Sequence, residues 1–150
     1  SEAKSISNET TFSEDLTDDT VLHAWLQQLS EQIGWRLRRA GLVGRTIQIK
    51  VRFADFTTLT RSQTLARPTD TSGEIIAAAN ALFHSRLPMP RPAVRLLGVG
   101  VSGFDGDHAL QPDLFAEDER RRSAKLDNVM DTIRGRFGKG AARRGRDPKV

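Results

Sequence analysis

The sequence predicts an α+β domain: a four-stranded antiparallel sheet in the order β-α-β-β-α-β, with two helices on one face and the other face open. Three observations carry this. Ile47, Ile49, Val51 and Phe53 alternate with Gln48, Lys50 and Arg52, the two-residue period of a strand with one buried and one wet face. From Leu22 to Ala40, and again from Ile75 to Leu87, apolar residues recur at three- and four-residue steps, as amphipathic helices require. Strand-like and helix-like segments then fall into two similar halves, although no residue-level repeat is present.

Lys4 to Phe12, rich in Ser and Thr and ending on an aromatic, reads as the first strand. The first helix carries Leu22, Leu26, Leu29, Ile33, Leu37 and Ala40 as its stripe, with Val21, Trp25 and Trp35 beside it. Thr17 or Asp18 is its N-cap, Asp18 and Asp19 sit at the positive end of the dipole, Arg36, Arg38 and Arg39 at the negative end, and Gly41 closes it. The alternating strand turns at Ala54 to Thr57 and returns through Thr58, Thr60, Arg61, Ser62, Gln63 and Thr64, broken by Arg67-Pro68-Thr69-Asp70. Thr71 and Glu74 have the spacing of a capping box, opening a helix with Ile75, Ile76, Ala79, Leu82, Phe83 and Leu87 as its stripe and Pro88-Met89-Pro90 as its stop. Val94 to Phe104 is the last strand, with Leu97, Val99 and Val101 on one face and Gly98, Gly100 and Ser102 on the other. Such small residues either soften an edge strand or let a phosphate approach the backbone.

Residues 1–104 therefore read as a domain, and residues 105–150 as a peptide, a short helix and a basic tail. Asp105 to Leu110 is a polar linker. Gln111-Pro112-Asp113-Leu114-Phe115 sets two large apolar residues in a polar neighbourhood, the pattern of a peptide that anchors in a partner's pocket. Ala116 to Phe137 is expected to be helical, and Gly138 to Val150 disordered. The polar N-terminus without methionine is expected to be an internal or processed end of a longer protein.

The net charge is +4, with seven Lys or Arg between Arg134 and Val150 against Asp147 alone, an asymmetry that points to a polyanionic partner. With no cysteine, disulfides, thiolate metal sites and thiol nucleophiles are excluded. No apolar run has the length of a membrane helix, so the protein is expected to be soluble, and the absence of cysteine fits the expected cytoplasmic setting. His23, His84 and His108 have no metal-ligand spacing, and no phosphate-cradling glycine loop or nucleophile elbow is present. No catalytic, metal or cofactor site is expected in this chain, leaving nucleic-acid binding by the open sheet face or protein binding by the Gln111 to Phe115 peptide. An RNA-recognition fold would stack bases on exposed aromatics, whereas the outward positions here are Gln48, Lys50 and Arg52. Such a face suits phosphates and sugars, and so binding largely blind to sequence.

Lys4-Ser-Ile-Ser, Leu37-Arg-Arg-Ala-Gly-Leu, Val51-Arg-Phe-Ala-Asp-Phe-Thr-Thr-Leu-Thr-Arg-Ser-Gln-Thr-Leu and Arg95-Leu-Leu-Gly-Val-Gly-Val-Ser together resemble the little finger domain of Y-family translesion DNA polymerases, of the bacterial DNA polymerase IV (DinB) type. Gln111 to Phe115 is similar to the peptide by which such polymerases bind the replication sliding clamp. The resemblance implies a DNA-binding accessory domain that holds primer-template DNA, with Lys4 and Ser5 as first contacts and Thr60, Arg61 and Arg95 facing phosphates. Lys50 and Arg52 join this set by alternation. It implies Gln111, Leu114 and Phe115 as clamp-binding residues, and a parent polymerase using magnesium in domains this chain lacks. Leu96 and Gly100 depart from relatives with basic residues there. The competing class is a protein-interaction or RNA-binding module acting on its own.

Overall fold

The computed structural model describes residues 4–104 together with Phe115, Asp118 and Arg122. Four strands and two helices follow in the order β1 (Ser5–Leu16), α1 (Asp19–Ala40), β2 (Gly44–Phe53), β3 (Thr58–Thr69), α2 (Ser72–Ser85) and β4 (Val94–Ser102). The strands form one sheet in the order β1-β4-β2-β3, antiparallel at every interface. Each helix crosses over one intervening strand: α1 passes from β1 to β2 over β4, and α2 from β3 to β4 over β2. Helix α1 packs on β1 and β4, α2 packs on β2 and β3, and the helices touch each other along one face of the sheet.

The core lies between these layers. Leu22, Leu26, Leu29, Ile33 and Leu37 of α1 meet Ile75, Ala79, Leu82 and Phe83 of α2 and the sheet positions Ile47, Ile49, Val51, Leu97, Val99 and Val101, all nearly inaccessible. Trp25 joins them, its ring 5.5 Å from that of Phe12. Ala78 belongs to this core although the sequence stripe passes over it, whereas Ala40 is exposed. Trp35 is also exposed, and the Arg39 guanidinium lies 4.9 Å from its ring centre.

The helix ends use local chemistry. Asp18, not Thr17, caps α1 by accepting from the Thr20 amide at 2.8 Å. Gly41 closes it in the left-handed conformation (φ 69°), its amide reaching the Arg38 carbonyl and that of Leu42 the Leu37 carbonyl. At α2, Thr71 accepts from the Glu74 amide at 3.4 Å, but the Glu74 carboxylate turns to the hydroxyls of Thr71 and Thr69, and the Thr71 amide donates to the Thr69 hydroxyl at 3.0 Å. The capping box is thus routed through one extra threonine.

Two strands are longer than the sequence pattern suggests. Strand β1 continues to Leu16 through a register shift after Thr11, where Ser13, Glu14 and Asp15 break the alternation. Strand β3 runs through Pro68 to Thr69. It lies at the sheet edge, where a missing amide costs no ladder hydrogen bond, and its register shifts in this stretch. Strand β4, which the glycines left open to an edge reading, is central.

Truncating the fully buried Leu29 to Ala should cost about 2–5 kcal/mol, read by urea unfolding with Trp25 as reporter. A second expectation concerns acid. The Thr69 and Thr71 hydroxyls hold the Glu74 carboxyl below its usual value of 4.5. A carboxyl depressed in the folded chain stabilises it above the ordinary value and ceases to do so as pH falls through the folded one. The Glu74→Gln variant should therefore lose less thermal stability than the wild type when the pH is lowered through and below 4.5.

Candidate functional site

Directly paired strand residues share a face, so the register sorts every side chain. The face away from the helices consists of four cross-strand rows: Thr11–Leu96–Arg52–Thr58, Glu9–Gly98–Lys50–Thr60, Ser7–Gly100–Gln48–Ser62 and Ser5–Ser102–Thr46–Thr64. Nine of these sixteen positions are Ser or Thr and none is aromatic, so the strands offer hydrogen-bonding groups and no stacking platform. The cations are Lys50 and Arg52. The Arg52 Nε donates to the Thr58 hydroxyl at 2.8 Å, and Arg52 makes no ion pair among the described residues. Lys50 reaches across Gly98 to Glu9, with Nζ to Oε1 at 3.3 Å.

This face has two halves. Along β2 and β3, Thr58, Thr60 and Thr64 are exposed and Lys50 and Arg52 half-buried. Along β1 and β4, Ser5, Ser7, Leu96, Gly98, Gly100 and Ser102 are all buried. Phe115 accounts for part of this cover. It is 3% exposed and stands on Gly98, where a Cβ would meet its Cε1 at 2.9 Å, with the Lys50 Nζ 5.7 Å from its ring centre. Asp118, also buried, accepts from the Ser7 amide at 2.7 Å and the Ser7 hydroxyl at 3.2 Å. Arg36 of α1 reaches round the β1 edge to pair with Asp118 at 3.1 Å and donates to the Ser7 carbonyl at 2.6 Å. Arg122 donates to the Asn8 side-chain oxygen at 3.3 Å.

The residues expected to contact DNA are thus only partly brought together. Lys4 is exposed just before β1, and Lys50, Arg52 and Thr60 share the outer face as alternation requires. Ser5 shares that face but is 1% exposed. Arg61 stands apart from them: it pairs with Ile49 and so lies on the helix side. Its Nε donates to the Arg86 carbonyl at the end of α2 at 2.8 Å and its Nη1 to the Thr60 carbonyl at 2.9 Å. Arg95 also stands apart: β4 takes two steps, Leu96 to Val94, where β2 takes one, and Arg95 is the extra residue between them. Its guanidinium lies 4.5 Å from the ring centre of Phe56 at the hairpin tip and 3.6 Å from Asp15. Phe56 is 64% exposed and left-handed (φ 71°), in a turn where Asp55 accepts from the Thr57 amide, a bond that holds the Asp55 carboxyl below its usual value.

Of the expected clamp-binding residues, Gln111 and Leu114 lie outside the described residues, as do most of 116–137 and all of the tail, while Phe115 is buried against the domain. Sequence reasoning missed Glu9, Arg36 and Asp118. The available signal was the small-residue stripe of β4 facing an apolar and an acidic residue three positions apart.

The profile of the impB/mucB/samB family C-terminal domain matches residues 3–114. The chain belongs to this family. Among curated relatives of this impB/mucB/samB domain, a DNA polymerase IV of Dehalococcoides mccartyi is 46% identical over 146 residues, covering 97% of this chain and 37% of the relative. One from Moorella thermoacetica is 38% identical over 135 residues, covering 90% and 33%, and one from Caulobacter vibrioides 38% over 144, covering 95% and 35%. The chain spans about a third of the length of these relatives. Its fold matches a solved complex of a β-clamp processivity factor and the little finger domain of PolIV at a TM-score of 0.56 and 24% identity, over 71% of this chain and 95% of that one. The family resemblance and the fold class read from the sequence both hold.

Because Arg61 ties β3 to the end of α2, Arg61→Ala should lower stability by about 0.5–1 kcal/mol in denaturant unfolding.

Proposed function

We propose that this domain is the DNA-holding accessory part of an error-prone translesion polymerase of the DNA polymerase IV type, and that its C-terminal peptide docks the replication sliding clamp. The exposed β2–β3 half of the outer face carries the reading. Arg52, Lys50, Thr58 and Thr60 form a lattice of donors without aromatics, which suits a phosphate backbone and not unstacked bases. The DNA polymerase IV relatives supply the parent activity, and the β-clamp in the matching complex supports the clamp as partner. Polymerisation itself belongs to the remainder of the parent protein. The magnesium proposed for the parent polymerase goes with that activity, as the DNA polymerase IV relatives suggest. Among the described residues no helix is long and apolar enough to cross a membrane, and the proposed setting is the cytoplasm.

In this arrangement Lys4, Lys50 and Arg52 are the phosphate-contacting cations, with Thr60 as a neutral donor beside them. Three such contacts give a slope of log affinity against log salt near −2.7, and Arg52→Ala should make it shallower by about 0.9. Fluorescence anisotropy on labelled primer-template DNA measures both, and salt-independent binding or preference for one sequence overturns the reading. For the clamp, the Leu114→Ala, Phe115→Ala double variant should abolish binding, since apolar anchors cost about 2 kcal/mol or more each when truncated. An unchanged clamp affinity in calorimetry refutes that assignment.

A further inference from the structure

Phe115 and Asp118 hold two separate places on the same side of the domain. Phe115 fills the socket left by Gly98, between Glu9 and Lys50. Asp118 and Arg36 satisfy the amide and carbonyl of Ser7 that point away from β4, so they close the free edge of β1. Phe115, Asp118 and Arg122 each have helical backbone, and each touches β1 or β4. A residue expected to anchor in a partner's pocket is therefore spent on the domain's own outer face. It sits in the same row as Lys50, a cation that the DNA reading needs.

We propose that the segment bearing Phe115, Asp118 and Arg122 is a latch. Docked, Phe115 covers Gly98, Asp118 holds Ser7, and Lys50 stays engaged with Glu9 and the Phe115 ring. Handing Phe115 to the sliding clamp releases the segment, so clamp engagement uncovers the rest of the phosphate-binding face. This rests on the function proposed above, because the same side chain cannot occupy the Gly98 socket and a clamp pocket together. The apparent affinity of a site scales with the fraction of molecules in which it is competent. A latch closed in about nine molecules of ten thus weakens DNA binding by about tenfold when DNA needs the uncovered face.

The test uses the full chain and two variants that loosen the latch from different sides. Asp118→Asn weakens the pairing with Arg36 and Ser7, and Gly98→Ala places a methyl group against the Phe115 ring. Circular dichroism checks that both remain folded, hydrogen exchange at the Ser7 amide reads the latch, and anisotropy with fluorescein-labelled primer-template DNA reads the outcome. The expected result is faster Ser7 exchange in Asp118→Asn, and DNA binding at least about threefold tighter in both variants. Saturating wild-type protein with the sliding clamp should accelerate Ser7 exchange in the same way. Equal DNA affinity in wild type and both variants overturns the latch while leaving the DNA face standing, and unaltered Ser7 exchange in the clamp complex overturns the hand-over. Absence of DNA binding by every form overturns the DNA-face reading, and the latch with it.

Discussion

The two-residue period of β2 holds this domain in one arrangement. Ile47, Ile49, Val51 and Phe53 are almost completely buried against the helices, and β2 pairs on both sides, with β4 and β3. A slip of one residue would bring Lys50 and Arg52 into the core and send four large apolar side chains to solvent. The register is therefore fixed by the hydrophobic face, and the polar face inherits its geometry from it. Gln48, Lys50 and Arg52 point outward because their neighbours cannot, and the rows that cross Gly98 and Gly100 follow from the same pairing.

Legibility in the sequence tracked how local the determining interaction is. The stripes of α1 and α2, the Thr71–Glu74 cap, the Gly41 stop and the period of β2 are decided within a few residues, and each stood out. The face occupied by Arg61 is decided by the turn. With Arg52 opposite Thr58, the phase of β3 puts Thr60 outside and Arg61 inside, and the signal in the sequence is Leu59 and Leu65, which share the phase of Arg61 and pack against the core. The central place of β4 is a matter of strand order, which glycine content alone cannot report. Pro68 stopped the predicted strand, but an edge position tolerates it.

The candidate site shows the same division. Lys50 and Arg52 were read from alternation and lie on one face as expected. Glu9, Arg36 and Asp118 come from distant parts of the chain and meet only because β1 lies beside β4 and α1 lies over both. Each is unremarkable in sequence. Their effect is to make the outer face unequal: Thr58, Thr60 and Thr64 of β3 are exposed, whereas Ser5, Ser7, Gly98, Gly100 and Ser102 of β1 and β4 are covered.

The edge of β1 gives the Asp118–Arg36 pair a second role. Strand β3 guards its own edge with Pro68 and a shifted register, but β1 presents the Ser7 amide and carbonyl outward, and a carboxylate and a guanidinium occupy them. Open strand edges are templates for pairing between molecules. A chain cut short after Phe104 would lose Asp118 and leave the Ser7 amide open at this edge, with Arg36 still on the carbonyl, which favours pairing of two copies through β1. The acid at position 118 thus guards this strand edge, and its loss would show as pairing through β1 before any change in the fold.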